Sequence, residues 1–363
     1  MRLHLLGVPH TITHPRFSHD AFTNKVRYFG PMMRGLGYEV VHYGVEGSQS
    51  GATEDVTLMS EDEFYDLLGH RLEDKQRMHV TDARTDSVLY RTFNARLREQ
   101  LAKHVRKGDV VLHSLGTGHQ GSIGSHDGVD CELGIGYPQS YLPFRIFETA
   151  MWMHYHQAKF GRGVTAYEWV IPPYFEADEW PITTKPSTPA YCAFLGRISE
   201  TKGCHLIVEI AKRMPEMRFV LCGQGDPTPF LVAPNIEYKE PIHGAERAAY
   251  LGNAVACLYP SQYAEPGGAS ALEAILCGTP VITPSYGCFL ETVTHGVTGW
   301  HCRVLNDWVE AIRRAPLMNR TAIGIEARRR FSLPAVAPLY ADAMEMLHGL
   351  AMGRDWYTYP ARI

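Results

Sequence analysis

The sequence predicts an α/β protein of two successive domains, each a doubly wound parallel sheet. Three observations lead there. Short apolar runs alternate with amphipathic stretches from end to end, the rhythm of βα units. That rhythm breaks once, at 171–189, where five prolines and several turn formers intervene, and then restarts. The 363 residues also exceed one ordinary domain, which sets a prior of two domains of roughly 150–180 residues.

The elements follow in chain order. Strands are expected at Arg2–Val8, Glu39–Tyr43, Val110–His113, Cys131–Ile135 and Glu168–Ile171, with helices at Ala21–Leu36 and Thr92–Val105. Residues 52–80, which contain SEDEFYDLLG, read as an insertion carrying a short helix. Beyond the prolines, strands are expected at Tyr191–Leu195, Arg218–Cys222, Asn235–Tyr238, Val255–Tyr259 and Pro280–Thr283. Helices alternate with them at Cys204–Met214, Ala245–Gly252 and Ala269–Leu276, and Val336–Leu350 is a last amphipathic helix. The resulting division is a first domain over 1–172, a linker over 173–189, a second domain over 190–333, and a helix and tail over 334–363 that packs back on the first domain. Two such domains would face each other across a central cleft at the carboxyl ends of their strands, where ligands of doubly wound folds sit.

Composition narrows the function. Hydrophobic residues make up 45% and charged residues 20%, an ordinary globular balance, and the formal net charge of -4 offers nucleic acid or an anionic membrane no general attraction. The basic run Arg91–Arg106 has helical spacing and reads as a solvated face. No apolar stretch reaches the length of a membrane span, and the N-terminal apolar run is too short for a secretion signal. The eight cysteines form no CxxC pair and read as buried, reduced side chains of a cytoplasmic protein. His154 and His156 would point to different faces of a helix, and no metal site is expected.

The chemistry concentrates in Glu265-Pro-Gly-Gly-Ala-Ser-Ala-Leu-Glu273, where two carboxylates eight positions apart flank a Gly-Gly turn that opens a helix. Glycine admits positive φ and a close ligand, and the free N–H groups of Gly268, Ala269 and Ser270 would meet an anion such as a diphosphate. Glu265 can accept hydrogen bonds from sugar hydroxyls and Glu273 from a ribose. Phe194-Leu-Gly-Arg197-Ile-Ser-Glu-Thr-Lys202-Gly203 adds two cations at a strand's carboxyl edge, enough to neutralise a diphosphate without a metal. Cys222-Gly223-Gln-Gly225 is too short for a dinucleotide fingerprint, yet leaves room for a nucleobase.

Together with Cys277-Gly278-Thr-Pro-Val-Ile and Gly287-Cys-Phe-Leu-Glu291…Gly296-Val-Thr-Gly299, these motifs resemble the retaining GT-B glycosyltransferases, particularly the large family four, glycosyl transferases group 1. The resemblance covers about residues 190–300. It implies a GT-B fold and transfer, with retention, from a nucleoside diphosphate sugar to an acceptor hydroxyl. Arg197 and Lys202 would hold the phosphates, Glu273 the ribose and Glu265 the transferred sugar. UDP-glucose-type donors are favoured over GDP-mannose-type ones, with no cofactor and no metal. The sequence departs from the family at Glu265-Pro-Gly-Gly, where a phenylalanine ordinarily follows the proline.

In the first half the resemblance is only in outline. Gly7, at the end of the first strand, would approach the donor. His113 or His119, with loop position favouring His119, would contact the sugar. His10 and Tyr137 are further acceptor candidates, although the aromatic stretch from Tyr137 to Trp152 reads more readily as a buried helix face. The acceptor would be a glycan, glycolipid or small molecule. Three other readings stand beside this one: a non-hydrolysing nucleotide-sugar epimerase, a non-catalytic sugar-nucleotide binding module, and an enzyme glycosylating modified DNA bases, which the chain's slight acidity disfavours.

Overall fold

The computed structural model describes residues 1–18, 20–71, 84–124, 126–163 and 165–354. The chain forms two compact units, Met1–Tyr174 together with Val336–Ile363, and Phe175–Ala335.

The first unit contains β1 (Arg2–Leu6), β2 (Glu39–Val45), β3 (Glu54–Met59), β4 (Val110–His113), β5 (Val129–Ile135), β6 (Phe144–Phe147) and β7 (Glu168–Val170), in the order β3-β2-β1-β4-β5-β6-β7. Neighbouring strands are parallel, for example Leu3 opposite both Val40 and Val110. Strands buried on both faces are mostly apolar along their length, which is why β1 and β4 are legible in the sequence despite His4 and His113. The helices are α1 (Ala21–Arg34), α2 (Glu61–Leu68), α3 (Val88–His104) and α4 (Ala150–Lys159). Asp20 caps α1 through Thr23 N–H at 2.7 Å. Burial alone would raise its carboxyl pKa, but His10 and Thr23 hold it down at about 2. Ser87 caps α3 by accepting from Tyr90 N–H, so that helix starts one turn before the expected Thr92.

The expected insertion at 52–80 holds its short helix, α2, but also the edge strand β3; its residues 72–80 lie outside the described ones. Glu54 and Asp55 give β3 no apolar alternation, so only its pairing with β2 reveals it. The basic run Arg91–Arg106 lies on α3 as far as His104, and there Arg96 is clamped by Glu63 at 2.6 and 2.7 Å. On α4, His154 is exposed and His156 buried, the divergence that helical spacing requires.

The second unit contains β8 (Tyr191–Leu195), β9 (Arg218–Cys222), β10 (Ile236–Lys239), β11 (Ala256–Leu258), β12 (Val281–Pro284) and β13 (Gly299–Cys302), in the order β10-β9-β8-β11-β12-β13 and again parallel. Its helices are α5 (Cys204–Arg213), α6 (Gly244–Asn253), α7 (Ala269–Leu276), α8 (Phe289–Thr292), α9 (Leu305–Arg314) and α10 (Arg320–Phe331). Phe194, Phe219, Leu221, Ile207, Trp308 and Ile312 meet in one core between sheet and helices. The proline-rich segment is tied down inside this unit: Thr183 N–H donates to Cys277 at 2.9 Å, and Arg320 donates back to the Thr183 carbonyl at 2.6 Å.

A final helix, α11, runs over Leu333–Ala351. From Val336 onward it belongs to the first unit, where Tyr340 packs edge-on against Phe29 and Tyr174, and His348 Nδ1 bonds the Gly108 carbonyl at 2.7 Å. Among the described residues no helix is long and apolar enough to cross a membrane. All eight cysteines are buried and unbridged.

Candidate functional site

Strand order decides what meets what in the second unit. The chain winds outward from β8 through β9 to β10, then returns to β11 on the other side of β8. Connections leaving neighbouring strands in opposite directions open a crevice at their carboxyl ends. The loop after β8 carries Gly196, Arg197 and Lys202, and the loop after β11 carries Ser261, Tyr263 and Glu265.

At that point Lys202 Nζ donates to Glu265 Oε1 at 2.6 Å and to the Tyr263 hydroxyl at 2.7 Å, with the ammonium also over the Tyr263 ring at 5.0 Å. Ser261 Oγ donates to the other carboxylate oxygen, Glu265 Oε2, at 2.8 Å. Both charged side chains keep access to solvent, at 26% for Lys202 and 13% for Glu265. Arg197 is exposed and forms no ion pair among the described residues. The site therefore holds a satisfied ammonium–carboxylate pair and an unspent guanidinium.

Two loop closures fix these positions. Gly203, at φ +79°, begins α5, and a Cβ on it would lie 2.0 Å from the Pro260 carbonyl oxygen. The Lys202 loop is thus pressed against the Glu265 loop, and Gln262 N–H donates to Thr201 at 2.8 Å. Gly268, at φ +67°, opens α7 with no side chain capping it; its missing Cβ accommodates Cys288 Sγ at 3.0 Å and the Phe289 ring at 3.2 Å. The first N–H groups of a helix have no partner within it, so Ala269 and Ser270 present donors backed by the helix dipole. Cys288 N–H holds the Glu265 carbonyl at 3.1 Å.

Glu273 lies one turn into α7 and is 3% exposed. Arg247 of α6 donates from Nε at 2.8 Å and from its terminal nitrogen to one oxygen, Oε2, alone. Burial raises the Glu273 pKa and Arg247 opposes that shift. Gly223 and Gly225 are required by the chain itself: a Cβ at 223 would fall 1.9 Å from the Gly196 oxygen, and one at 225 would fall 2.5 Å from the Ile198 oxygen. The space they leave is occupied by backbone 196–198, with Ile198 N–H donating to Gln224 at 2.7 Å. That close approach of two loops accounts for both glycines.

In the first unit the same reversal falls between β1 and β4; His113 ends β4, and the loops after β1, β4 and β5 carry Gly7, His10, His119 and Tyr137 at the same edge of the sheet. Gly7 is explained by its neighbour strand, since a Cβ there would meet the Tyr43 oxygen at 2.7 Å. His10 is 2% exposed and bonded to the Tyr90 hydroxyl at 2.5 Å and to Asp20 at 3.4 Å. His113 is fully buried between Asp130 at 2.6 Å and the Tyr141 hydroxyl at 2.5 Å. Ser114 Oγ gives its proton to the Leu6 carbonyl, so it accepts from His119 Nε2 at 3.2 Å, and among the described residues His119 Nδ1 has no partner. Burial, then His113 and His10, drive its pKa well below the ordinary value. The Tyr137 hydroxyl donates to buried Glu132 at 3.2 Å.

Sequence reasoning missed Tyr263, Ser261, Arg247 and Glu132. Ser261 and Tyr263 stand four and two positions before Glu265, a spacing that puts all three on one side of an extended segment. Arg247 left no signal, because its partner is 26 positions away.

Residues 177–332 match the family model for glycosyl transferases group 1. Glycogen synthase of Mycobacterium tuberculosis is 31% identical over 197 residues, covering 50% of this chain and 44% of that protein. The 2-deoxystreptamine N-acetyl-D-glucosaminyltransferase of Niallia circulans is 32% identical over 117 residues, 29% of this chain and 30% of that one. The chain thus spans less than half the length of these curated relatives. Among solved structures, AviGT4, a glycosyltransferase involved in avilamycin A biosynthesis, superposes with a TM-score of 0.69 at 19% identity, covering 98% of this chain and 99% of that one. Sucrose-phosphate synthase from Thermosynechococcus elongatus gives 0.67 at 15% identity over 96% and 100%. Anabaena HepE in complex with UDP-glucose gives 0.61 at 14% identity over 95% and 100%. The two parallel sheets with their flanking helices are those of GT-B glycosyltransferases.

Proposed function

We propose that this chain, whose residues 177–332 are a glycosyl transferases group 1 domain, moves a sugar from a nucleoside diphosphate sugar to an acceptor hydroxyl with retention at the anomeric carbon. One observation carries the reading: at the β8/β11 reversal, Lys202, Glu265 and exposed Arg197 stand on loops locked to each other beside the uncapped, glycine-opened start of α7. Cations and helix N–H groups suit a diphosphate, and a carboxylate beside them suits sugar hydroxyls.

The difficult step is cleavage of the anomeric C–O bond, which leaves an oxocarbenium-like sugar and a diphosphate anion. Arg197, Lys202 and the Ala269 and Ser270 N–H groups stabilise the charge growing on that diphosphate. Glu265 orients the sugar, and Glu273 receives ribose hydroxyls through the oxygen that Arg247 leaves free. The departing phosphate takes the proton of the attacking acceptor hydroxyl on the same face, so the new bond forms where the old one broke. No metal is required by this scheme.

The acceptor is a glycan, glycolipid or small molecule, and the buried, unbridged cysteines support a reducing, cytoplasmic setting. HepE, similarly folded, is known with UDP-glucose, which makes UDP-sugars the first donors to try. The test is incubation with UDP-, GDP- and ADP-sugars while released nucleotide and the anomeric configuration of product are followed. Release from at least one donor, lost in Lys202→Ala, supports the reading; no release from any donor rejects it.

A further inference from the structure

The two cations of the donor site differ in what they already hold. Lys202 Nζ donates to Glu265 Oε1 at 2.6 Å and to the Tyr263 hydroxyl at 2.7 Å, so the ammonium has a counter-ion and two of its three N–H groups are engaged. Glu265 is held from its other side by Ser261 Oγ at 2.8 Å, and the Tyr286 hydroxyl donates to the Ser261 carbonyl at 2.5 Å, which fixes that loop. Arg197, by contrast, is exposed and has no ion pair among the described residues.

A diphosphate can take the third N–H of Lys202 without displacing the carboxylate. It then shares one positive charge with Glu265 and stands beside a group of its own sign. Water relieves that repulsion poorly, because Glu265 is 13% exposed and is held through both oxygens. Hydrogen bonds donated to the carboxylate relieve it better, since they favour its charged form. The hydroxyl groups of a transferred sugar are such donors, and a nucleotide that has lost its sugar brings none. The bare nucleotide also carries roughly one more negative charge at neutral pH, because cleavage turns its sugar ester into a terminal phosphate.

We propose that Glu265 makes the donor site discriminate between an intact nucleotide sugar and the bare nucleotide: its carboxylate, paired to Lys202, opposes a diphosphate that stands alone and accepts one whose sugar hydroxyls it can bind. This rests on the donor-site reading above. The nucleotide left after transfer is then held less tightly than the cations alone would hold it, which favours its release. The two partners of the pair act on nucleotide in opposite senses. Lys202→Ala removes an attraction, and Glu265→Gln removes a repulsion.

The experiment is calorimetry on wild type, Glu265→Gln, Lys202→Ala and Ser261→Ala with UDP, GDP and ADP, and with the nucleotide sugar from which the wild type releases nucleotide. Glu265→Gln keeps the size of the side chain and loses its charge. Its affinity for the matching nucleoside diphosphate should rise about tenfold or more, the scale of removing a like charge from beside a bound anion. Its affinity for the intact donor should rise less or fall, because the sugar loses a charged partner. Lys202→Ala should bind both ligands more weakly. Ser261→Ala retains the Glu265 charge and should show no gain, which separates charge from loosened packing. Should Glu265→Gln fail to fold, Glu265→Ala makes the same comparison, since it too removes the charge. Nucleotide affinity in the charge-free variant equal to or below that of wild type overturns this inference alone, and so does an equal gain for nucleotide and intact donor. A wild type that releases nucleotide from no donor overturns the transferase reading and this inference with it.

Discussion

Arg247 on α6 and Glu273 on α7 form a charge pair in which the carboxylate is 3% exposed and the guanidinium engages one oxygen only. Removing one partner of such a pair costs about 3–5 kcal/mol, far more than an exposed pair is worth. Arg247→Ala should lower unfolding free energy by that order in denaturant titrations. The loss should be larger at pH 8 than at pH 5, where the stranded carboxyl takes up a proton. The double variant Arg247→Ala/Glu273→Gln should recover part of the stability without recovering transfer.

Lys202 and Glu265 behave differently, because both remain in touch with solvent. Exposed and half-exposed pairs contribute about 0–1 kcal/mol. Lys202→Ala and Glu265→Ala should therefore shift the melting temperature by only a few degrees, on the order of 4 °C or less. Transfer should drop at least about 100-fold in each, the scale of losing a group that stabilises developing charge. A large thermal shift in either variant would place the pair in the structural framework instead.

Among the described residues Arg197 has no ion pair to lose. Arg197→Ala should leave stability unchanged and raise donor KM by about 10-fold or more, the value of one charge-assisted phosphate contact. Arg197→Lys should restore this only in part, since an ammonium lacks the two-pronged geometry. Donor binding to the wild type should weaken with added salt more steeply than in Arg197→Ala, as calorimetry at two ionic strengths would report.

Glu132 gives the first unit a pH signature. Burial raises its pKa to about 7, with the Leu142 and Tyr141 N–H groups, Arg145 and Tyr137 resisting. The folded state therefore holds a proton that the unfolded chain, near the ordinary 4.5, has released. Its contribution is fully present below that ordinary value and is lost as pH rises through about 7, a change of up to about 3 kcal/mol at roughly 1.4 kcal/mol per unit. His4 acts in the opposite sense. Burial lowers its pKa to about 4 despite Asp109, so its contribution is lost as pH falls from 6.5 toward 4. Glu132→Gln should flatten the decline between pH 5 and 7 in unfolding free energy, whatever its effect at any single pH.

Gly223, at φ +143° with the Gly196 oxygen 1.9 Å from where a Cβ would sit, cannot take alanine without moving backbone. Gly223→Ala should destabilise by about 3 kcal/mol or more, through strained φ and a clash with an unyielding carbonyl. It should also raise donor KM, because backbone 196–198 carries Arg197. Normal stability in that variant would mean the loop is free to move away.

What the sequence exposes, and what it hides, divides along one physical line. Doubly buried strands such as β1, β8 and β12 show as apolar runs, and Gly267-Gly268 followed by a helical pattern marks the start of α7, because these are properties of consecutive residues. The edge strand β3 escapes, since an edge needs no apolar alternation and declares itself only by pairing with β2. Gly223 and Gly225 are visible as glycines, but their reason is the backbone of another loop.

The chain alone determined two βα series, a proline-rich interruption, and two carboxylates eight positions apart around a Gly-Gly turn. Only the tertiary structure decided who holds those carboxylates: Arg247 for Glu273, and Lys202 and Ser261 for Glu265. The reason is that Lys202 and Glu265 are 63 positions apart and become neighbours solely because β8 and β11 lie side by side where the strand order reverses. Charge type is written residue by residue, whereas charge partnership belongs to the order of strands in the sheet.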